Sequence, residues 1–416
     1  MTLYRSTQRT QLNKDIVALY YEFVIRLLIH AVLLIPLVTF ALFYEPHELP
    51  KALVFLACCI VICTVYLGIW IRNLLIRGQK PFRIPPFSQW SKTALLYFLF
   101  MLILTASAIF NDEFEQGFLG QPYRYQGVLF FLGCGGLALL VSQTHTAKKY
   151  AREWMKTITI VGTISSVIVM VQYLQISLFH IPILSYAGRP IGTFGNPNFA
   201  AGYLALSYAF AYVASPSRKF KVIATLVFGT AILCTASLSG IGSFMALFFV
   251  LWLSKDVKKL IITFCIALVV CSGMYIAYSQ RTPSSFDRRS VIWGKAVQAT
   301  LAKPVIGWGP ENFAQAFNTY IREEELHLLH IRIDKAHNEQ LEVSVAGGLI
   351  GLGLYGALMI LLFKRAITQY TRSQDPFLLA IFVGFVVYGS FNVISISQYI
   401  LYFFAIGIAG QKVTNK

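Results

Sequence analysis

Apolar runs close to 20 residues long recur along the whole 416-residue chain, and this recurrence constrains the fold more than any other feature. A run of that length crosses a hydrocarbon core about 30 Å thick. Inside lipid every backbone N–H and C=O needs an internal partner, so such runs must be helices. Twelve are read: 24–43, 52–71, 94–110, 127–141, 155–174, 199–214, 220–236, 238–253, 260–279, 343–363, 377–392 and 396–410. The expectation is an all-α, polytopic membrane protein of about 12 transmembrane helices, with residues 1–416 forming a single integral-membrane domain. Only 13% of residues are charged, against about 25% in soluble domains.

The net charge of +17 invites a nucleic-acid reading, and its distribution rejects it. With a cytoplasmic N-terminus, the cytoplasmic segments hold 23 Lys/Arg and 5 Asp/Glu, and the outside segments 11 and 13. The excess sits at 72–92, 148–156, 218–221, 255–259 and 364–372, each after an even-numbered run. This is the positive-inside pattern, and contact with anionic membrane lipids accounts for the rest. Both termini are placed in the cytoplasm. The first run starts late and lacks a small-residue cleavage site, so it does not read as a removable signal. All seven cysteines fall inside the apolar runs without metal-ligand spacing, and read as packing residues.

Against this background the outside segment 280–342 stands out. It carries eight Lys/Arg and eight Asp/Glu. It reads as two helices and a turn. Ser285 or Asp287 caps a helix over 288–301 with Trp293, Val297 and Leu301 on one face. Lys303-Pro304 ends it, Gly307-Trp308-Gly309 turns, and Pro310 suits the first position of a second helix. Its stripe of Phe313, Phe317, Tyr320 and Ile321 is expected along the membrane surface. Asp334 is expected to cap the next membrane helix, with His337 in its first turn. Gly347, Gly348, Gly351, Gly353 and Gly356 follow, a density that lets helices approach closely.

Ionisable residues inside the runs are nearly absent; Arg26 and His30 read as a snorkelling arginine and an interhelical hydrogen bond. This tilts the reading from transport toward a surface-facing membrane enzyme. The candidate groups gather outside: Arg124, Arg189, Arg288, Arg289, His327, His330, Arg332 and His337. Arginine forks match phosphate oxygens bidentately, and a histidine takes a proton from a hydroxyl nucleophile. At a helix N-terminus the dipole disfavours imidazolium, so His337 is expected to be a neutral base. Diphosphate departure with hydroxyl attack suits these groups. No Ser-His-Asp set, Walker loop or HExxH pattern is present. The glycines and prolines of 188–198 force an irregular backbone, tolerated at membrane depth only when buried or lining a cavity. That places Arg189 near a cavity mouth.

Three stretches, GRPIGTFGNPNFAAGYLAL (188–206), RRSVIWGKAVQATLAKPVIGWGPENF (288–313) and AHNEQLEVSVAGGLIGLG (336–353), together resemble the bacterial O-antigen ligase/polymerase family, membrane glycosyltransferases of the GT-C type. The resemblance implies a glycan carried on undecaprenyl diphosphate, transferred without metal or other cofactor to an acceptor hydroxyl such as that of lipid A-core. The place implied is the periplasmic face of the bacterial inner membrane. Carried over, His337 is the base, and Arg289 and Arg189 hold the diphosphate. Arg288 can substitute for its neighbour, and Arg124 is a further candidate for the pocket. Many members have an arginine after serine at the start of the eighth helix, where this chain has Gly240. That departure leaves a polysaccharide polymerase of the same family as an alternative. A lipid-glycan flippase is the alternative from another class.

Overall fold

A computed structural model describes residues 22–77, 90–111, 113–143, 145–181, 185–253, 285–325 and 333–411. The expected run 260–279 lies outside these residues, as do His327, His330 and Arg332. The first helix, α1 (residues 22–34), gives way at Pro36 to a 3-10 turn, Ile35–Leu37. Proline removes a helical N–H donor. Run 24–43 is therefore helical for only part of its expected length.

Next come α2 (Glu48–Arg77), α3 (Lys92–Ile109), α4 (Phe114–Leu119), α5 (Val128–Gln143) and α6 (His145–Phe179). A two-stranded antiparallel ribbon, β1 (Ser185–Tyr186) and β2 (Arg189–Pro190), precedes α7 (Pro197–Ala214), α8 (Arg218–Cys234) and α9 (Leu238–Leu253). The outside segment contributes α10 (Ser285–Ala302) and α11 (Phe313–Tyr320). The chain closes with α12 (Glu339–Ser373), α13 (Phe377–Gly389) and α14 (Ile396–Gln411).

Among the described residues, four segments are long and apolar enough to cross a membrane: Glu48–Val65, Lys92–Ile109, Lys149–Phe179 and Glu339–Ser373. Shorter apolar helices occupy Val128–Ser142, Leu238–Trp252, Phe377–Gly389 and Ile396–Ala409. The all-helical membrane character is supported; the number twelve is not reached by this criterion.

Helix α7 is the centre of the bundle, packed against α6, α8, α9, α13 and α14. It is buried on every side over most of its length, as its small residues permit. A Cβ on Gly202 would stand 1.7 Å from Gln398 Nε2 and 2.6 Å from the Tyr388 ring. A Cβ on Gly240 would stand 2.3 Å from that of Ala201. Gly240 is thus where a neighbouring helix approaches closely.

Helix α12 is broken at Gly348 (φ 64°, ψ −165°). The outside segment plugs the break. Trp308 N–H donates to Val345 O (2.8 Å), Gly309 N–H to Ala346 O (3.1 Å) and Leu349 N–H to Pro304 O (2.7 Å). Ser107 Oγ adds a bond to Ala346 O at 2.7 Å. Backbone groups released by the break find partners in the same protein, as an irregular helix near a membrane requires. Gly348 serves this backbone docking, while Gly347 and Gly351 face Leu104 and Ile103 of α3, the helix contact the sequence suggested. A Cβ placed on Gly353 or Gly356 would meet no atom within 4 Å.

The outside segment forms its own small core around Ile292, Ala296, Ala299, Trp308, Phe313, Phe317 and Ile333. Two expectations change as a result. Val297 and Leu301 are exposed; the buried face of α10 runs through Ile292, Ala296 and Ala299, and only Trp293 of the expected stripe packs inward. Phe313 and Phe317 are buried in this core and do not lie against a membrane surface. Helix α11 starts after Asn312, three residues later than Pro310 suggested. The side chains of Ser285 and Asp287 lie outside those described.

Candidate functional site

Asp334 does not cap α12, contrary to the expectation from sequence. Asn338 does, its Oδ1 accepting from Leu341 N–H at 3.0 Å while its Nδ2 donates to Ser390 O at 3.0 Å. His337 therefore precedes the helix instead of sitting in its first turn. It holds φ 53°, a left-handed conformation that costs a non-glycine residue roughly 1–3 kcal/mol. The surrounding bonds maintain it. Trp293 Nε1 donates to Ala336 O (3.0 Å), and Ala336 N–H donates to Glu342 Oε2 (2.9 Å).

Asp334 instead turns toward Arg124. Arg124 Nε stands 2.7 Å from Asp334 Oδ2, and a terminal guanidinium nitrogen 2.6 Å. The guanidinium also lies over the Phe199 ring, 5.3 Å from its centroid. Burial works against the Arg124 charge, but Asp334 outweighs it and raises the pKa. Burial likewise raises Asp334, and Arg124 more than reverses this, with Lys335 and His337 contributing in the same sense.

Arg289 lies one turn before Trp293 on α10, on the helix face that the indole pins beside Ala336. It acts electrostatically on His337 together with Arg124. Burial is the strongest influence on His337 and pushes its pKa down. Asp334 opposes this, Arg289 and Arg124 reinforce it, and a hydrogen bond with Asn392 opposes it; the result is about 4. Burial, reinforced by Arg289 and Arg124 and opposed by Asp334, favours the neutral imidazole. Asn392 in turn donates Nδ2 to Ser239 Oγ at 2.6 Å. His337 is thus tied to the start of α9, beside Gly240.

Arg189 approaches from another side. Its Nε donates to Thr235 O (2.8 Å) and a terminal nitrogen to Asn198 Oδ1 (3.1 Å). Asn198 O accepts from Tyr388 OH at 2.8 Å, and Tyr388 lies within electrostatic reach of Arg124 and Arg289. The loop before α7 is held as a unit. Gly192 exchanges two bonds with Gln172 (2.7 and 3.2 Å), Thr193 O accepts from Lys51 Nζ (2.7 Å), and Asn196 caps α7.

The structure therefore brings together His337, Arg124 and Arg289, and links Arg189 to them through Asn198 and Tyr388. Arg288, half-buried, lies next to Arg289 but about 100° round the helix. Among the described residues, four of the eight non-glycine residues with positive φ lie around this site: Tyr123 and Tyr125 flanking Arg124, Ala236 next to Thr235, and His337. Backbone strain of this kind concentrates at functional sites.

Residues 223–356 match the family model described as O-antigen ligase. The match supports the O-antigen ligase/polymerase family, in keeping with the three motifs. It contains Ser239, Arg288, Arg289, Asp334 and His337, while Arg124, Arg189, Asn198, Tyr388 and Asn392 lie outside it. The O-antigen ligase family implies a glycosyltransferase-like membrane enzyme that uses a lipid-linked glycan and a glycan acceptor. No curated protein matches the chain.

Sequence reasoning missed Asp334 as a partner of Arg124, and it missed Asn392, Ser239 and Tyr388. Asn392 carried a usable signal, as an amide at the end of an apolar run. It also missed the buried triad behind His337. Lys335 Nζ stands 2.5 Å from Glu311 Oε1 and 3.0 Å from Glu342 Oε1. Arg26 and His30 behave as the sequence suggests for a non-catalytic pair: Arg26 meets Glu153 at 2.6 Å, and His30 Nδ1 meets Thr157 Oγ1 at 3.1 Å.

Proposed function

We propose that the chain is an O-antigen ligase-type glycosyltransferase. It moves a glycan from undecaprenyl diphosphate to an acceptor hydroxyl, such as one of lipid A-core, at the periplasmic face of the inner membrane. The observation that carries this reading is the convergence beside His337 of Arg124, held by Asp334, and of the α10 face that bears Arg289 and whose Trp293 donates to Ala336 O. A neutral imidazole can accept the proton of the attacking hydroxyl. Oxygen then bonds to the anomeric carbon as the bond to the diphosphate breaks, and the diphosphate leaves with the electron pair.

Arginines suit that leaving group because their charge persists and their forks match its oxygens. Arg289 and Arg189 are assigned to the diphosphate. Arg124 is already engaged by Asp334, and we assign the pair to setting the field around His337: the carboxylate balances imidazolium as it forms. Asn392 orients the ring through its bond to Ser239.

Reconstitution with a lipid-diphosphate glycan and candidate acceptors tests the proposal. Transfer of one block to the acceptor is expected. A ladder growing on the lipid carrier would instead indicate the polymerase of the same family, and movement of the lipid across the bilayer without transfer would indicate a flippase.

A further inference from the structure

A cavity of about 450 Å³ lies between α3, α5, α12 and α14. It is not the His337 site. The segment 334–339 divides the two: Asp334 and His337 turn toward Arg124 and Arg289, whereas Lys335 and Glu339 line the cavity. The cavity is lined by α12 residues on both sides of the Gly348 break, from Glu339 to Arg365. Leu132, Leu139, Leu358, Met359, Phe403 and Ile406 are among its walls, and Leu132 and Leu139 are exposed on the outside of the bundle.

Its outer end differs in kind from its walls. Glu311, Glu339 and Glu342 meet there with Lys335, three carboxyl groups against one ammonium. Glu339 Oε1 accepts from Tyr399 OH at 2.5 Å. Glu311 is 3% exposed, and its Oε2 is buried with no hydrogen-bond partner among the described residues. An ionised carboxylate only accepts hydrogen bonds, and a buried acceptor without a donor is costly. An occupant that suits this end must bring O–H or N–H donors. A phosphate head brings acceptors and negative charge, so it is disfavoured here. A cationic head would meet Lys335.

We infer that this cavity binds a second lipid, distinct from any diphosphate-linked donor: an amphiphile whose chain lies along α12 and whose uncharged, hydroxyl-rich glycosyl head donates to Glu311 and its neighbours. Binding of this lipid does not depend on the transfer reaction, so the two proposals fail separately.

Gly136 lines the cavity, and a Cβ there would meet no atom within 4 Å. Gly136→Phe therefore adds a Cβ in open space at the cavity wall, and its ring is expected to obstruct the cavity. The test is native mass spectrometry of the full chain from an amine-oxide detergent. The probes are a monoglucosyl diacylglycerol, a phosphatidic acid and a trimethylammonium lipid, all with the same chains. The glucosyl lipid is expected to be retained at least tenfold more tightly than the other two. Gly136→Phe should weaken that retention at least tenfold, with Leu139→Trp as a second filling variant if the first folds poorly. Glu339→Gln, which can still accept from Tyr399, should reduce the preference for the glucosyl head. Equal retention of phosphatidic acid, tighter retention of the cationic lipid, or unchanged retention in both filled variants would overturn the inference.

Discussion

Lys335→Met removes the only cation from a buried cluster, and its cost can be worked from the geometry. Lys335 is 4% exposed and Glu311 3%. The ammonium lies 2.5 Å from Glu311 and 3.0 Å from Glu342. Two bonds to charged groups at roughly 1.5–3 kcal/mol each give about 3–6 kcal/mol. Breaking a buried pair from one side costs about 3–5 kcal/mol. The two ranges meet near 4 kcal/mol. Unfolding equilibria measured by steric trapping in bicelles should show that loss at pH 7. Lys335→Met with Glu311→Gln should recover at least about 1 kcal/mol, because the most buried uncompensated charge is gone. Lys335 has its pKa raised above the ordinary 10.5, Glu311 and Glu342 outweighing burial. Its contribution is therefore fully present below about pH 10.5 and is lost as pH rises through the higher folded value. A loss under about 1 kcal/mol for the single variant would refute the reading of this cluster as a structural pillar behind His337.

Three further outcomes are expected. Arg289→Lys should lower kcat/KM for transfer at least about tenfold, since an ammonium cannot reproduce the guanidinium fork; an unchanged value would reduce Arg289 to a structural role. His337 titrates near 4 instead of 6.5, so the unfolded chain takes up its proton first, and stability should fall as pH drops from 6.5 toward 4. Transfer should stay flat from pH 7 to 5, and a midpoint near 6.5 in the pH–rate profile would contradict the buried, neutral imidazole. Gly348→Ala meets a positive φ and places a Cβ 2.6 Å from Pro304 O. It should destabilise the protein by about 2–3 kcal/mol, and hydrogen exchange should accelerate at the Trp308 and Gly309 amides if the helix break is the docking point described.

Helix positions were largely legible because hydrophobic length is a local signal with one physical cause, and α3, α7 and α9 begin and end within a few residues of their apolar runs. The exceptions have local causes too: Pro36 ends the first helix early, and Gly348 breaks α12. The site was legible only in its residue types. His337 and the arginines could be selected because ionisable residues are nearly absent inside the apolar runs, which leaves the outside face, and because their types suit diphosphate departure. Their partners could not, since the Arg124–Asp334 contact joins residues 210 positions apart and the His337–Asn392 contact crosses two helices. Cap assignment failed for a specific reason. Asp334 and Asn338 are both good capping residues, and only the tertiary demand of Arg124 decides between them. The faces of α10 and α11 were misread because the sequence does not show that the outside segment encloses its own core.

The central claim is that His337 takes the acceptor's proton at a point where arginines hold a departing diphosphate. The most direct measurement is the rate of glycan transfer by reconstituted His337→Ala, normalised to folded protein in the membrane. The account predicts a loss of roughly 10²–10⁴-fold, the usual contribution of a positioned general base, with the lipid-diphosphate donor still bound. Transfer at the unmodified rate would contradict it.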